Sequence, residues 1–563
     1  MKKKIFLALL GLWVFLWASP AKENPILSAM ESELNRSMKK LRMEKQKRPY
    51  FISYLVRDRK SIIIEGSRGS ITESDRNHYR NLYVDLRVGD YRLDNSGVER
   101  KRWEWDEEGW RYRYVRLPIE DDTLALKHKL WQVTDYKYKK AIEEYKKKKR
   151  EVALKPEKER PDDFSKEKPS IYIGEEVDLS LNIPEWEERI RKYSEIFNEY
   201  KDILISRVRF DAQALNRYFV NSEDSKIQDG SILYSLEIEA ETRCKDGMLL
   251  RDLQRFYTWK DFWKDEEIEE KIRGIAKRIM RLKEAEPVKS YTGPVLIQSP
   301  ASSAFFSAVL APLLKGDKKR FEKEEGLLDK VGERILPPFV SVYDDPTIKS
   351  YKGEVLVGSY RFDDEGIPAQ RVTLVDKGVL KNFLLSRSPI KGFNKSNGHG
   401  RMEGEKVAPK IGNLIIETSS PLPFTQLKER LIEECKRQGK PYGLLIKSVK
   451  LPEERFRGKR IRIFISGVSE KEGRPPLSGF PPLEVYKVYP DGREELVRGA
   501  EVLSSPPLST LGKILGLGDD PKAFSISFGK SSVVAPSLLL SEIEIRRTKK
   551  DMRPPPILPP PRE

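Results

Sequence analysis

Few side chains in this sequence combine the residue types and spacings that enzyme chemistry requires. The chain has three histidines, His78, His128 and His399, and no two of them lie within one helical turn. Its two cysteines, Cys244 and Cys435, are far apart in the sequence, and we expect buried free thiols, with a mutual disulfide as the alternative. Protein zinc sites take three or four His, Cys or carboxylate ligands. The sequence therefore argues against a zinc site in this chain.

The remaining groups with chemical potential lie in two short loops of the second half. Asp363, Asp364 and Glu365 are consecutive, and His399 stands between two glycines. These residues could face a peptide cleft, and Asp363 and Glu365 could act as the carboxylates of a hydrolase. The alternative is structural, because an acidic turn can hydrogen-bond its own backbone and cap the following strand. A lone histidine in a glycine-rich loop is also more often structural than catalytic.

The composition is that of a folded protein with a dense, mixed surface charge. The chain has 563 residues, of which 38% are hydrophobic and 34% charged, and its formal net charge is +18. This length and apolar content exclude fibrous and wholly disordered classes, and a protein with many membrane spans. A strong positive charge is also typical of nucleic-acid-binding proteins, but the N-terminal segment argues against that interpretation.

The first 21 residues have the pattern of a secretory signal peptide. Three lysines at 2–4 precede an apolar run at 5–17, and small residues at 19–21 offer a cleavage site. The run is shorter than the ~20 residues that span a bilayer. We therefore expect export to the periplasm or the extracellular space, with an uncleaved N-terminal anchor as the alternative. A cleaved chain would have no stable membrane span and would meet no nucleic acid.

Hydrophobic periodicity predicts an N-terminal region of helices and strands at 22–290, with a charged insertion at about 137–169. Apolar residues three or four apart predict helices, and alternating apolar residues predict antiparallel strands. The predicted helices are 27–45, 124–152, 186–204 and 266–282. The predicted strands are 49–56, 61–65, 81–89, 205–210, 217–220 and 232–240. The insertion is rich in Lys, Glu and Pro, which predicts a solvated segment, with a basic docking arm at 146–150 as the alternative.

Residues 291–550 are predicted to form a second, β-rich domain, followed by a proline-rich tail at 551–563. Short apolar runs separated by turn dipeptides such as Lys377-Gly378 are typical of antiparallel sheets. One strongly apolar helix is predicted at 301–314. The predicted fold class is α+β, with a helix-and-sheet N-terminal half followed by a largely antiparallel β C-terminal domain.

A series of short motifs occurs in a fixed order along the second half. They are Tyr291-Thr-Gly-Pro-Val-Leu-Ile297, Gly316-Asp317, Tyr343-Asp-Asp-Pro346, Phe362-Asp-Asp-Glu-Gly-Ile-Pro368, Val375-Asp-Lys-Gly-Val-Leu-Lys381 and Ser396-Asn-Gly-His-Gly-Arg401. In this order they resemble the TldD/PmbA (TldD/TldE) metallopeptidase family. The resemblance covers about 27–546, is strongest over 291–401, and implies that family's fold.

The family's catalytic members carry His-Glu-x-x-x-His on the helix before the Gly-Asp dipeptide. There the histidines bind zinc and the glutamate is the base for the attacking water. The corresponding positions in this chain are Ser307, Ala308 and Pro312, none of which supplies a usual zinc ligand or a base. The family's cysteine ligand falls near Phe528, and no cysteine follows Cys435. The resemblance thus implies a TldE/PmbA-like member with a degenerate active site and no metal of its own.

The resemblance also implies a partner and a substrate. TldE-like subunits pair with a zinc-bearing TldD-like paralogue, so a heterodimer with zinc in the partner subunit is expected, acting on unfolded peptides. Asp363, Asp364, Glu365 and His399 are the candidate residues for the peptide cleft. The alternatives are a stand-alone, homodimeric peptide-binding protein and a hydrolase with a relocated, zinc-free site.

Overall fold

The structure is a computed structural model that describes 24–98, 112, 115–154, 160–317, 327–403, 406–451, 477, 479–526, 530–548, 552–554, 556 and 558. The predicted signal peptide at 1–21 lies outside these residues, as do Phe528 and most of the predicted tail at 551–563. Within the described ranges, no helix has both the length and the apolar character needed to cross a bilayer.

In the described N-terminal half, helices pack on one seven-stranded sheet. Its helices are α1 (Pro25–Lys40), α2 (Thr123–Leu154), α3 (Ile183–Glu195) and α4 (Asp265–Glu284), with a 3₁₀ turn at Ile196–Glu199. Its strands are β1 (Pro49–Ser67), β2 (Ser70–Val88), β3 (Val115–Leu117), β4 (Ile171–Ile173), β5 (Ile205–Asn221), β6 (Lys226–Arg243) and β7 (Leu249–Thr258). The strand order is β3-β2-β1-β5-β6-β4, with β7 also paired to β6.

Long antiparallel hairpins dominate this sheet. β1 and β2 are joined by a tight turn in which Arg68 and Gly69 have φ values of 49° and 84°. Two consecutive positive φ values are the geometry of the type I′ turn, whose twist matches that of the flanking strands. β1 also pairs with β5 along most of its length, and β5 pairs with β6. β4 is the exception, because it runs parallel to β6.

The helices cover only one face of the sheet. α1 begins after Asn24, whose side chain accepts hydrogen bonds from the backbone N–H groups of Ile26 and Leu27. α1 and α2 bury one end of this face, including Tyr54, and α3 and α4 bury the other end, including Phe210. Successive side chains of a strand point to opposite faces. The odd-numbered residues of β1 and β5 therefore lie on the face that these helices leave uncovered.

The described C-terminal half contains two larger sheets and three helices. Its helices are α5 (Ala301–Val309), α6 (Phe424–Arg437) and α7 (Pro507–Leu511), with 3₁₀ turns at Ala311–Leu314 and Leu327–Lys330. Its strands are β8 (Glu286–Pro287), β9 (Tyr291–Ile297), β10 (Val340–Asp344), β11 (Ser350–Tyr351), β12 (Glu354–Val355), β13 (Val372–Asp376), β14 (Val379–Leu380), β15 (Gly400–Glu403), β16 (Lys406–Pro409), β17 (Asn413–Thr418), β18 (Gly443–Val449), β19 (Pro482–Val488), β20 (Glu494–Arg498), β21 (Ala500–Val502), β22 (Ile514–Leu517), β23 (Lys522–Ile526), β24 (Ser531–Ala535) and β25 (Leu538–Arg547).

The two C-terminal sheets share one core. One sheet has the order β14-β13-β10-β17-β24-β23, and the other has the order β21-β25-β9-β18-β19-β20-β8, with β22 paired to β25. Most pairs are antiparallel, whereas β17–β24, β9–β18 and β8–β20 are parallel. α5 contacts strands of both sheets and contributes fully buried Phe305 and Phe306 to their common cluster. The predicted α+β class with a largely antiparallel second half is confirmed.

Both cysteines are buried and unpaired, and they lie in different hydrophobic clusters. Cys244 packs in the hydrophobic cluster that contains the buried residues of α3 and α4. Cys435 lies on α6 and packs in the cluster beneath that helix. The domain boundary predicted at 290/291 stays a prediction, although β8 already joins the C-terminal sheet at Glu286–Pro287.

The predicted strands 49–56 and 61–65 form one continuous strand, β1, and the predicted strands 205–210 and 217–220 form β5. Polar residues between the apolar runs do not break these strands because they pair across the sheet. Asp58, for example, accepts hydrogen bonds from Arg80 Nη2 at 2.6 Å and lies 2.6 Å from His78 Nε2.

The predicted solvated insertion is wrong for its last part. α2 continues to Leu154, and Asp163, Phe164 and Ser165 are buried. The Phe164 ring lies 3.6 Å from the guanidinium carbon of Arg87 and 3.9 Å from that of Arg387. One aromatic side chain thus anchors this charged segment, because the faces of its ring attract both cations.

Candidate functional site

Helix α5 carries the positions of the resembled family's zinc motif. Ser307 and Ala308 lie in its last turn and are half-buried, and Pro312 is exposed in the 3₁₀ turn that follows. The helix ends at Val309 rather than at 314 as predicted, because Pro312 has no N–H to donate to the Ala308 carbonyl. The backbone closes instead through a bond from Leu313 N to Leu310 O at 2.9 Å.

These residues do not fit a zinc ion. A serine hydroxyl, an alanine methyl group and a proline ring offer one weak ligand in place of the two histidines, and no base. In the ranges that the structure describes, no three His, Cys, Asp or Glu side chains are grouped closely enough to hold a metal ion. We therefore derive no zinc chemistry at α5.

Asp363 forms a turn that hydrogen-bonds its own backbone. Its Oδ1 accepts bonds from Glu365 N and Ile367 N, both at 2.9 Å. Its Oδ2 accepts a bond from Gly400 N at 2.9 Å. The side chain is 1% exposed, so its oxygens are occupied by the loop that contains it and by the start of β15.

Glu365 lies beside Asp363 and is also buried. Its Oε2 accepts a bond from Arg387 N at 2.7 Å, and a Cβ placed on Gly400 would lie 2.2 Å from the same oxygen. Glycine at 400 is thus required by this close approach. Burial raises the pKa of Glu365, and the neighbouring charge of Asp363 raises it further. Burial raises the pKa of Asp363 as well, so the two carboxyl groups titrate as a coupled pair.

Asp364 points the other way and joins the two halves of the chain. Its Oδ1 lies 2.6 Å from Arg57 Nη2 and 3.5 Å from Arg217 Nη1, on paired positions of β1 and β5. Its Oδ2 lies 3.5 Å from Arg401 Nε and accepts a bond from Met402 N at 2.7 Å. Burial alone would raise the pKa of Asp364, but Arg57, Arg401 and Arg217 together hold it well below its usual range.

His399 is fully buried and holds two loops together. Its Nε2 lies 3.0 Å from Asp344 Oδ1, and its Nδ1 lies 2.8 Å from Asn397 O. Asp344 Oδ1 also accepts a bond from Gly412 N at 3.0 Å. The structure therefore brings Asp363, Asp364, Glu365 and His399 into neighbouring loops, on a different part of the C-terminal half from α5. Their role in a peptide cleft stays a prediction.

A cluster of cations lies where the uncovered face of the N-terminal sheet meets these loops. We call Arg57, Arg59, Arg401 and Lys530 the cation cluster. Arg57 and Arg59 lie on β1, Arg401 lies on β15, and Lys530 directly precedes β24. Desolvation by the surrounding atoms and the charges of Arg57, Arg59 and Arg401 lower the pKa of Lys530 to about 8. No local pattern in the sequence identifies this cluster, because its members are four of 106 Lys and Arg residues.

A second charged region occupies the far end of the same sheet face. We call it the ion ladder, and its members are Glu65, Glu73, Arg207, Arg209, Glu237, Glu239, Arg251 and Arg255. Arg207 contacts Glu65 at 3.2 Å, and it also pairs with Glu237 and Glu239. Arg209 contacts Glu65 at 3.2 Å and Glu73 at 3.1 Å. Arg251 pairs with Glu239, and Arg255 pairs with Glu237.

Comparison with known proteins agrees with this architecture. Residues 290–451 match the family model described as the PmbA/TldA metallopeptidase C-terminal domain. A metalloprotease of Methanocaldococcus jannaschii is 25% identical over 340 residues, which are 58% of this chain and 67% of that protein. A metalloprotease of Archaeoglobus fulgidus is 27% identical over 170 residues, which are 30% of this chain and 37% of that protein.

The fold also matches a solved structure over most of its length. TldE from Thermococcus kodakarensis superposes with a TM-score of 0.57 at 14% identity, over 92% of this chain and 99% of that chain. At this identity the similarity supports the fold alone. Fold and sequence together define a metallopeptidase-related α+β protein. Residues 290–451 match the C-terminal domain of the TldD/PmbA family, and the chain as a whole has the fold of the TldE structure.

Proposed function

We propose that this chain is an exported, TldE-like subunit without its own zinc site, which pairs with a zinc-bearing TldD-like paralogue to process unfolded peptides. One observation carries the proposal. At the family's zinc positions stand Ser307, Ala308 and Pro312, and Pro312 also ends the helix that would have to present the second ligand. A chain with this helix has to obtain its zinc chemistry from another subunit.

The contribution of this chain would be a surface for the peptide. Helices α1 to α4 cover one face of the N-terminal sheet. The other face carries the cation cluster and the ion ladder, and it meets the loops at 362–366 and 401. The backbone and side-chain groups of an extended peptide are free to form contacts. A wide polar sheet face can contact these groups over several residues.

The two alternatives have less support. A hydrolase that uses Asp363 and Glu365 needs carboxylates that reach a substrate, but both are at most 8% exposed and bonded to backbone N–H groups. A stand-alone peptide-binding protein would use the same sheet face without a zinc-bearing partner, so only the composition of the native complex separates it from the leading proposal.

Native mass spectrometry of the complex purified from its own host tests the proposal. We expect a heterodimer with one zinc ion on the other subunit, and a mass for this chain that corresponds to cleavage near residue 21. A metal-free homodimer would support the stand-alone protein instead. Zinc bound to this chain alone would overturn the proposal.

A matched variant gives the control. Ser307→Ala removes the last side chain at the family's ligand positions that carries an oxygen. We expect the zinc content and the peptide cleavage of the complex to stay unchanged, because this hydroxyl is no ligand in this chain. A loss of zinc in this variant would show that Ser307 does contribute a ligand.

A further inference from the structure

The cation cluster has more positive charge than its surroundings neutralise. Within the described residues, Arg57 and Arg401 form their ion pairs with Asp364 alone, and neither Arg59 nor Lys530 forms an ion pair. Arg217 is a further cation that contacts Asp364, although its own charge is also balanced by Asp229. Among the described residues, the four cations of the cluster thus form ion pairs with one buried carboxylate only.

A further carboxylate, Asp211, forms no ion pair with the cluster in the part of the chain that the structure describes. Asp211 lies on the same sheet face, close enough to Arg59 for the two charges to interact. Burial raises the pKa of Asp211. Its Oδ1 is also buried without a hydrogen-bond partner among the described residues.

Three N–H groups of the cluster are buried, and one of them, Arg401 Nε, has only a long contact of 3.5 Å with Asp364 Oδ2. Arg57 Nε, Arg401 Nε and Arg401 Nη1 are inaccessible to water and donate no hydrogen bond in the part of the chain that the structure describes. A buried donor without an acceptor is destabilising, and more so when the group is charged. Such groups are rare in folded proteins unless an unseen ligand, ion or water satisfies them.

We propose that the cation cluster binds the carboxylate group of a bound peptide, either its C-terminus or an Asp or Glu side chain. The guanidinium group presents its donors in a fork that matches the two oxygens of a carboxylate. The Arg59 and Arg401 guanidinium groups lie over the rings of Tyr79 and Tyr360, at 5.8 Å and 4.1 Å, which limits their movement. A carboxylate there would receive charge-assisted bonds from both halves of the chain.

The chemistry of the cluster also fits the sheet face on which it lies. The cluster occupies one end of the face that the helices leave uncovered, and the neutralised ion ladder occupies the other end. A peptide along this face would therefore meet excess positive charge at one end only. This inference rests on the proposed function, since it assigns a charge preference to the peptide surface proposed above.

Isothermal titration calorimetry of the full chain, in the complex in which it is purified, tests the inference with three peptides. The first is acetyl-Ala-Val-Ala-Val-Ala with a free C-terminus, and the second is the same peptide as its amide. The third is the amide with the central residue replaced by Glu. We expect the first or the third peptide to bind at least about tenfold more tightly than the neutral amide, because charge-assisted bonds exceed neutral ones. Tighter binding of the first peptide would indicate recognition of the C-terminal carboxylate, and tighter binding of the third would indicate recognition of an acidic side chain.

Matched variants test whether the preference for a carboxylate depends on the cation cluster. Lys530→Met removes a cation that forms no ion pair within the described residues, so the fold is expected to persist. Lys436→Met, at an exposed position of α6, is the control. We expect Lys530→Met to remove most of the preference for the carboxylate peptide, and Lys436→Met to preserve it. Arg59→Gln should also remove most of this preference. Agreement between the two variants would show that the loss does not come from a local structural change at either position.

The outcomes separate the two proposals. If all three peptides bind with equal affinity, or if Lys530→Met and Arg59→Gln retain the preference, the carboxylate site is wrong while peptide binding stands. If none of the peptides binds, the peptide surface of the proposed function fails, and the carboxylate site fails with it. Inorganic phosphate serves as a competitor, and its displacement of the acidic peptide in the wild type but not in Lys530→Met would support the same site.

Discussion

The ion ladder and the cation cluster share one sheet face but differ in charge balance. In the ladder, four arginines alternate with four glutamates across β1, β2, β5, β6 and β7, and each arginine contacts at least one carboxylate. In the cluster, Arg57 and Arg401 pair with Asp364, and Arg59 and Lys530 form no ion pair within the described residues. The carboxylates of the ladder therefore balance its arginines, whereas the described residues around the cluster leave positive charge and buried N–H groups without a partner.

This difference shows how arginine-rich surfaces can be separated into structural and binding regions. Counting arginines does not distinguish them, because both regions are rich in them. The informative quantity is the number of carboxylates within reach and the number of guanidinium N–H groups without an acceptor. On this criterion the ladder is a stabilising network, and the cluster is a candidate binding surface.

The largest expected effect comes from removing the one carboxylate that pairs with the cluster among the described residues. Asp364→Asn leaves Arg57 and Arg401 without an ion-pair partner among these residues, whereas Arg217 keeps its pair with Asp229. Breaking a buried ion pair by removing one partner costs about 3–5 kcal/mol. We expect a loss of this size in the free energy of unfolding, measured by urea denaturation at pH 7. A loss below about 1 kcal/mol, the range of exposed pairs, would mean that Asp364 is not the essential counter-charge.

An intermediate effect is expected at Glu365, and it depends on pH. Because burial and Asp363 raise the folded-state pKa of Glu365, the folded state holds its proton above the pH at which the unfolded chain releases it. The wild type therefore loses stability as pH rises from the ordinary range of Glu, about 4.3, through the raised pKa. Glu365→Gln has no proton to lose and keeps an oxygen for Arg387 N. Its free energy of unfolding should match that of the wild type near pH 4 and exceed it at pH 8, by about 1.4 kcal/mol per unit of raised pKa.

Urea denaturation between pH 4 and pH 8 measures this difference. Glu433→Gln, at an exposed position of α6, is the matched control and should follow the wild type throughout. If the curves for Glu365→Gln and the wild type run parallel across this range, the pKa of Glu365 is not raised in the folded protein.

The smallest effect is expected in the ladder. Glu73 contacts Arg209 at 3.1 Å and its side chain is 36% exposed, and Arg209 keeps its contact with Glu65 when Glu73 is replaced. Glu73→Gln should lower the free energy of unfolding by about 0–1 kcal/mol, and this difference should shrink in 1 M salt because exposed charges are screened. A loss as large as that of Asp364→Asn would remove the distinction between the two regions.

The sequence predicted the elements whose signal is periodic and local. The apolar stripe at 266–282 corresponds to α4 (Asp265–Glu284), where Ile268, Ile272 and Ile279 are fully buried. The continuity of β1 and β5 could not be predicted, because polar residues such as Asp58 are stabilised by cross-strand partners far away in the sequence. The burial of 163–165 was missed for a similar reason. Phe164, an isolated aromatic residue in a charged stretch, is the one signal that could have revealed it.

The residues of the candidate site also differ in whether the sequence could identify them. Motif order identified the loop of Asp363, Asp364 and Glu365 and the loop of His399, and the structure places these loops together. The cation cluster depends on contacts between β1, β15 and the start of β24, which no local pattern records. Its members became visible only when charges from distant parts of the sequence could be compared in space.

Pro312, in the 3₁₀ turn after α5, also determines how easily this segment could become a zinc-binding helix. An α-helix turns about 100° per residue and a 3₁₀ segment about 120°, so the 3₁₀ turn at Ala311–Leu314 redirects every side chain beyond Val309. A histidine introduced at 312 alone would therefore not face one introduced at 307. Recovery of a zinc-binding helix requires several simultaneous substitutions and a change of backbone. Under the proposed function, single substitutions would therefore not give this chain a zinc site, and it would continue to depend on its zinc-bearing partner.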